Sequence, residues 1–232
     1  MDILTGLYFI SGFAILPLVI YGLYARVKVF RLFEKYSRKP VKKGITGSRL
    51  ARTMLNRAGL NEVVIEEVGG TLRDHYDPRH KAVRLSARVA RNCSIAATGI
   101  AAHEAAHAIQ DGLDYPPAKF RNNKAPIVEK AGYFILPLLF LGILLSRVAL
   151  ASFFINLALL LFLGIVVFCL VTLPVELEAS ARALRYIKEN SVADEKELEG
   201  VKKVLKAAAM TYIIATALAI VQFLSLLGMN RK

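Results

Sequence analysis

The chain has 232 residues, 55% of them hydrophobic, against the roughly 45–50% of a soluble domain. The excess is concentrated in four uncharged runs of 23, 16, 28 and 24 residues, which exclude a purely soluble protein and a disordered one. The net charge of +13 comes from 31 basic and 18 acidic side chains, all in the remaining 141 residues, enough for one small soluble domain plus connectors.

The first run, 3–25, reads as a retained transmembrane helix. Only Asp2 is charged before it, so a basic n-region is lacking, and it is longer than the ~7–15 residues of a signal-peptide core. Segment 26–130 follows as a polar unit. Thr46 or Ser48 can cap a helix that runs to about Ala58, with Gly59 as its stop. Asn61–Val68 is rich in β-branched residues and reads as a strand, Gly69-Gly70 as a turn. Leu72–Tyr76 and Lys81–Leu85 read as further strands of a small antiparallel sheet, separated by Asp77-Pro78. Ser86 can start a short helix, and Ser94 can cap a longer one that ends near Gly112. Pro116-Pro117 and Asn122-Asn123 mark an extended connector.

Run 131–146 is a short span of about 24 Å, with a re-entrant 131–175 element as the alternative. Arg147 marks the tip of a hairpin to the next span, 148–175. Segment 176–206 is again polar. Its stretch Asp194–Lys206 has acids first and bases last, which suits a solvated helix leading into the last span, 207–230. With four spans, segment 26–130 holds 21 Lys and Arg and segment 176–206 holds seven, against Arg147, Arg231 and Lys232 on the opposite side. The positive-inside rule puts both polar segments in the cytoplasm, and the anionic face of the bilayer explains the basic balance. Cys93 and Cys169 are too few for a disulfide framework or a Cys-rich metal site.

His103-Glu104-Ala105-Ala106-His107 is an HExxH sequence. Two histidines four apart lie on one helical face and can reach one Zn²⁺. Glu104, beside the metal rather than bound to it, can take a proton from metal-bound water and pass it to a leaving amine. It is the only charge between Asn92 and Gln110, and burying it with two histidines calls for a partner such as a metal. A third histidine at the HExxHxxGxxH spacing is missing, because Gln110 and Leu113 stand there. An acid from another helix is the expected third ligand. Glu176, the first charge after 28 uncharged residues, is the leading candidate and Glu178 its rival. His75 is a candidate for contacting substrate or its carbonyl oxygen, or else a turn residue held by Asp74 or Asp77.

Several blocks resemble the YugP-type neutral zinc metallopeptidases of prokaryotic membranes. They are Thr71–Pro78, Gly99–Ala108, Leu173-Pro174-Val175-Glu176 and Ala207–Tyr212, and the resemblance they carry extends over nearly the whole chain. More distantly the plan looks like that of HtpX-like and CAAX prenyl proteases, membrane gluzincins with HExxH and a downstream ExxAD. The resemblance implies an α-helical integral membrane protein of about four transmembrane helices, with a small α+β gluzincin-like zinc peptidase domain on the cytoplasmic side of a prokaryotic plasma membrane. It implies one Zn²⁺ per chain, held by His103, His107 and Glu176, with Glu104 as general base. Ser180 stands where the distant relatives have Asp, so support for a ligand histidine must be weaker or come from elsewhere. Ala106 stands where the family often has Gly.

The partners expected are a protein or peptide substrate, membrane proteins included, and the lipid bilayer. The alternative function is a non-proteolytic membrane scaffold with a structural zinc, which would need no Glu104. A tethered nucleic-acid binder is disfavoured, since the basic residues flank the spans instead of forming an aromatic-interleaved patch.

Overall fold

A computed structural model describes residues 3–147 and 150–229. Arg231 and Lys232 of the charge arithmetic lie outside the described residues. The elements are α1 (Ile3–Ser37), α2 (Gly47–Arg57), β1 (Val64–Val68), β2 (His75–Asp77), β3 (Ala82–Ser86), α3 (Ala87–Ala90), α4 (Ile95–Gly112), α5 (Pro116–Leu144), α6 (Leu150–Glu189) and α7 (Glu195–Met229). The chain divides into two compact units.

One unit comprises 1–24, 120–173 and 212–232. It is built from stretches of α1, α5, α6 and α7, the four described helices long and apolar enough to cross a membrane. Large apolar side chains cover its outer faces: Phe13 is 81% exposed, Leu136 76% and Leu160 64%. In water such a surface would be a standing association site, whereas lipid solvates it at no cost. Each helix runs past the uncharged run that announces it. Arg147 does lie in a turn after α5. Residues 131–175 fall on two separate helices of 29 and 40 residues. The expected extended connector is also corrected, because α5 is helical from Pro116 onward. Prolines at the start of a helix remove N–H groups that have no intrahelical partner in any case, so Pro116-Pro117 begins the helix instead of breaking it.

The other unit comprises 25–119 and 174–211. Thr46 Oγ1 caps α2 by accepting from Arg49 N–H, and Gly59, at φ +77°, ends it. Gly47 is required at the first position of α2: a Cβ there would collide with the Val89 carbonyl oxygen and stand 3.2 Å from Ala101 Cβ on α4. The sheet order is β1-β3-β2, with β2 antiparallel to β3 but β1 parallel to it, Val64 opposite Ala82 and Val68 opposite Ser86. This corrects the all-antiparallel expectation. The chain does turn at Gly69-Gly70, with Gly70 at φ +95°, but it then crosses to the far edge instead of forming a hairpin. The central strand β3, buried at Ala82, Val83, Leu85 and Ser86, collects both neighbours.

Helix α4 is the axis of this unit. Ser94 Oγ caps it by accepting from Ala97 N–H at 3.2 Å. Alanines 96, 97, 101, 102, 105, 106 and 108 are all buried, so neighbours approach it on nearly every side. Alanine also loses no side-chain entropy on becoming helical. Around it pack Leu50, Met54 and Leu55 of α2, Leu85 of β3, and Ala179, Ala183 and Ile187 of α6. The start of α7 is not simply solvated: Val201, Val204 and Leu205 are buried in this core. Asp194 and Glu197 form a reciprocal cap at its N-terminus, with bonds of 2.9 and 2.7 Å.

Candidate metal centre

Helix α4 turns His103 and His107 to one side, as i,i+4 spacing requires. Their rings meet edge to face at 4.6 Å between centroids. Glu176 of α6 faces both: its Oε2 lies 3.3 Å from His103 Nε2 and its Oε1 3.5 Å from His107 Nε2. All three side chains are largely sequestered, 13%, 6% and 5% exposed. Among the described residues they form the one group of His, Cys, Asp or Glu donors gathered tightly enough to hold a metal ion, with ligand atoms within 4.8 Å of one another.

The donor set fits zinc on its chemistry and its spacing. Two neutral imidazoles and one carboxylate are ordinary ligands for Zn²⁺ with a fourth position left open. Ligands at ~2.0–2.1 Å in a tetrahedron stand about 3.3–3.4 Å apart, and the two observed separations are of that size.

Each histidine is held from behind. His103 Nδ1 lies 3.3 Å from Ser180 Oγ on α6, one turn after Glu176. The serine that departs from the relatives' aspartate therefore occupies the supporting position itself, with a neutral partner in place of a charged one. His107 Nδ1 lies 2.9 Å from Gln110 Oε1. Gln110 is fully buried, and its Nε2 donates to the Val175 carbonyl at 2.9 Å and to Glu178 Oε2 at 2.6 Å. In the sequence Gln110 stands out only as a departure from the HExxHxxGxxH pattern, at its glycine position. The signal that could have found it is its i,i+3 spacing from His107, which puts the two side chains together on a helix surface.

Glu104 is 8% exposed, and among the described residues no hydrogen bond or ion pair engages its carboxylate. Glu178, the rival ligand, is turned to Gln110 and to Arg182, which it meets at 2.6 Å. It stands apart from the donor group.

His75 also stands apart from it. It is exposed on the edge strand β2, and its Nδ1 lies 2.8 Å from the Arg73 carbonyl oxygen. Neither flanking aspartate holds it. Asp74 accepts from the Ser86 backbone N–H at 2.7 Å and from its hydroxyl, but burial prevails and pushes its carboxyl above the usual range. Asp77 is also raised by burial, yet its bonds with His80, the Arg79 N–H and Arg84 outweigh that and hold it well below the usual range. The next residue of β2, Tyr76, donates its hydroxyl to Asp111 Oδ2 on α4 at 2.9 Å, which ties the edge strand to the histidine helix.

A family model described as "Putative neutral zinc metallopeptidase" matches residues 11–231. The protein described as "Putative membrane protease YugP" of Bacillus subtilis (strain 168) is 42% identical over 202 residues, which covers 87% of this chain and 88% of that protein. No solved structure matches the chain significantly.

Proposed function

Since the chain belongs to this family of neutral zinc metallopeptidases, we propose that it is an integral-membrane zinc endopeptidase that hydrolyses peptide bonds of protein or peptide substrates. The observation that carries the reading is the sequestered His103–His107–Glu176 group with the unengaged carboxylate of Glu104 beside it. His103 and His107 would bind zinc through Nε2, the nitrogens that face Glu176, and Glu176 would supply the third, anionic ligand. Zinc, when bound, supplies Lewis acidity, polarising the scissile carbonyl and making water acidic near neutral pH. Glu104 accepts the proton of the attacking water and returns it to the leaving amine, a task for a carboxylate that no cation among the described residues pairs with. Ser180 and Gln110 keep the imidazoles from rotating. Exposed His75, on a strand tied to α4, contacts an extended substrate rather than the metal.

Purified protein should carry about one zinc per chain and hydrolyse casein. Chelation should abolish the activity and added zinc restore it. A metal-loaded protein inert towards casein and other unfolded polypeptides would leave only the scaffold reading.

The same proposal sets the site on the cytoplasmic side of a prokaryotic plasma membrane, on the strength of the Lys and Arg asymmetry. In a chain freed of Cys93 and Cys169, a cysteine at Ser146, exposed after α5, should be labelled in intact cells by an impermeant thiol reagent. Cysteines at Lys42 or Asn190 should be labelled only after lysis. The reverse pattern would overturn the orientation.

A further inference from the structure

We propose that Gln110 is a positioning residue that fixes the tautomer and direction of His107 and locks the histidine helix to the helix that carries Glu176. The inference rests on the reading of His103, His107 and Glu176 as the metal ligands.

Its starting point is that the Gln110 amide has a single workable orientation. One end of the amide faces two acceptors, the Val175 carbonyl at 2.9 Å and the Glu178 carboxylate at 2.6 Å. Only the NH₂ group can donate to both, because a carbonyl oxygen turned there would face two oxygens at contact distance. The other end is then necessarily Oε1, and it can only accept. His107 Nδ1, 2.9 Å away, must therefore be the protonated nitrogen. Nε2 keeps its lone pair and points toward Glu176. No other tautomer of neutral His107 satisfies the bond, so the ring is set for metal before any metal arrives.

Burial makes this assignment strict. Gln110 is inaccessible to solvent and His107 is 6% exposed, so water cannot replace a lost partner. Two of the three bonds cross from α4 to α6, reaching the backbone of Val175, next to Glu176, and the side chain two residues beyond it. One amide thus sets both the direction of one ligand and the seat of another. Arg182, which meets Glu178 at 2.6 Å, holds the far carboxylate in place.

The test uses the full-length protein in detergent, with zinc affinity measured by competition against a chromophoric chelator, and the absorption bands of the Co²⁺-substituted protein. Gln110→Leu keeps the volume but leaves His107 Nδ1–H without an acceptor. It should weaken zinc binding by roughly 10–100-fold and shift the Co²⁺ bands, as loss of a ligand's supporting partner does. In the metal-free wild-type protein, at a pH where the imidazoles are neutral, ¹⁵N chemical shifts should show His107 as the Nδ1–H tautomer.

A Gln110→Leu protein with unchanged affinity and bands would overturn the assignment. So would an Nε2–H tautomer of His107 in the metal-free wild-type protein, and this measurement decides the matter if Gln110→Leu does not fold. Wild-type protein that takes up no zinc would overturn the ligand reading and this inference together, whereas zinc binding without peptide hydrolysis would refute only the proposed activity.

Discussion

Glu104→Gln should keep its zinc and lose peptide hydrolysis by roughly 10²–10⁴-fold, the usual worth of a positioned acid–base group. The two side chains are nearly isosteric, and the alanines that flank residue 104 along α4 stay buried as they are, so the fold has little reason to respond. The carboxylate forms no bond with another described residue, so removing its charge breaks no ion pair there. What disappears is the ability to accept and return a proton. Measurement of zinc content alongside casein hydrolysis separates the two effects. Wild-type turnover by a zinc-loaded Glu104→Gln protein would show that Glu104 is not the base. The inactive variant should also retain bound substrate, which makes it a trap for identifying one.

Zinc content should discriminate between two glutamates only two residues apart. Glu176→Ala should lower zinc affinity by more than the roughly 10–100-fold typical of a supporting residue, since on the proposed reading it removes one of three ligand atoms. His103→Ala and His107→Ala should behave alike. Glu178→Ala should retain zinc, because Gln110 keeps its bond to the Val175 carbonyl and with it the orientation of its amide. Equal zinc in the Glu176→Ala protein, by inductively coupled plasma analysis, would move the third ligand elsewhere.

The histidine pair was legible because its spacing is a local property of one helix. Glu176 could be picked out as the first charge after a long uncharged run, and the structure does bring it to both imidazoles. Gln110 was not legible as a working residue. Its two acceptors lie 65 and 68 residues away, and an uncharged polar side chain near a helix end carries no signal of burial. The sheet shows the same limit. Strand positions followed from β-branched composition, but the parallel pairing of β1 with β3 depends on which strand the core covers, and glycine at a turn does not report that. In the connector, Pro116-Pro117 misled because proline opposes a helix everywhere except its first turn.

The distribution of the donor group along the chain has a consequence for the newborn protein. The ribosome makes HExxH and its helix first, then all of α5 and most of the apolar part of α6, and only then Glu176 and Ser180, the latter 77 residues beyond His103. At elongation rates of about 5–20 residues per second that interval is roughly 4–15 s. Throughout it the nascent chain displays two histidines and a carboxylate without the anionic third donor or the serine and glutamine bonds that depend on α6. On the ligand reading proposed above, a chain interrupted between His107 and Glu176 carries the signature sequence and yet no complete site. On the same reading, completion of the donor group is tied to the synthesis of two further apolar helices.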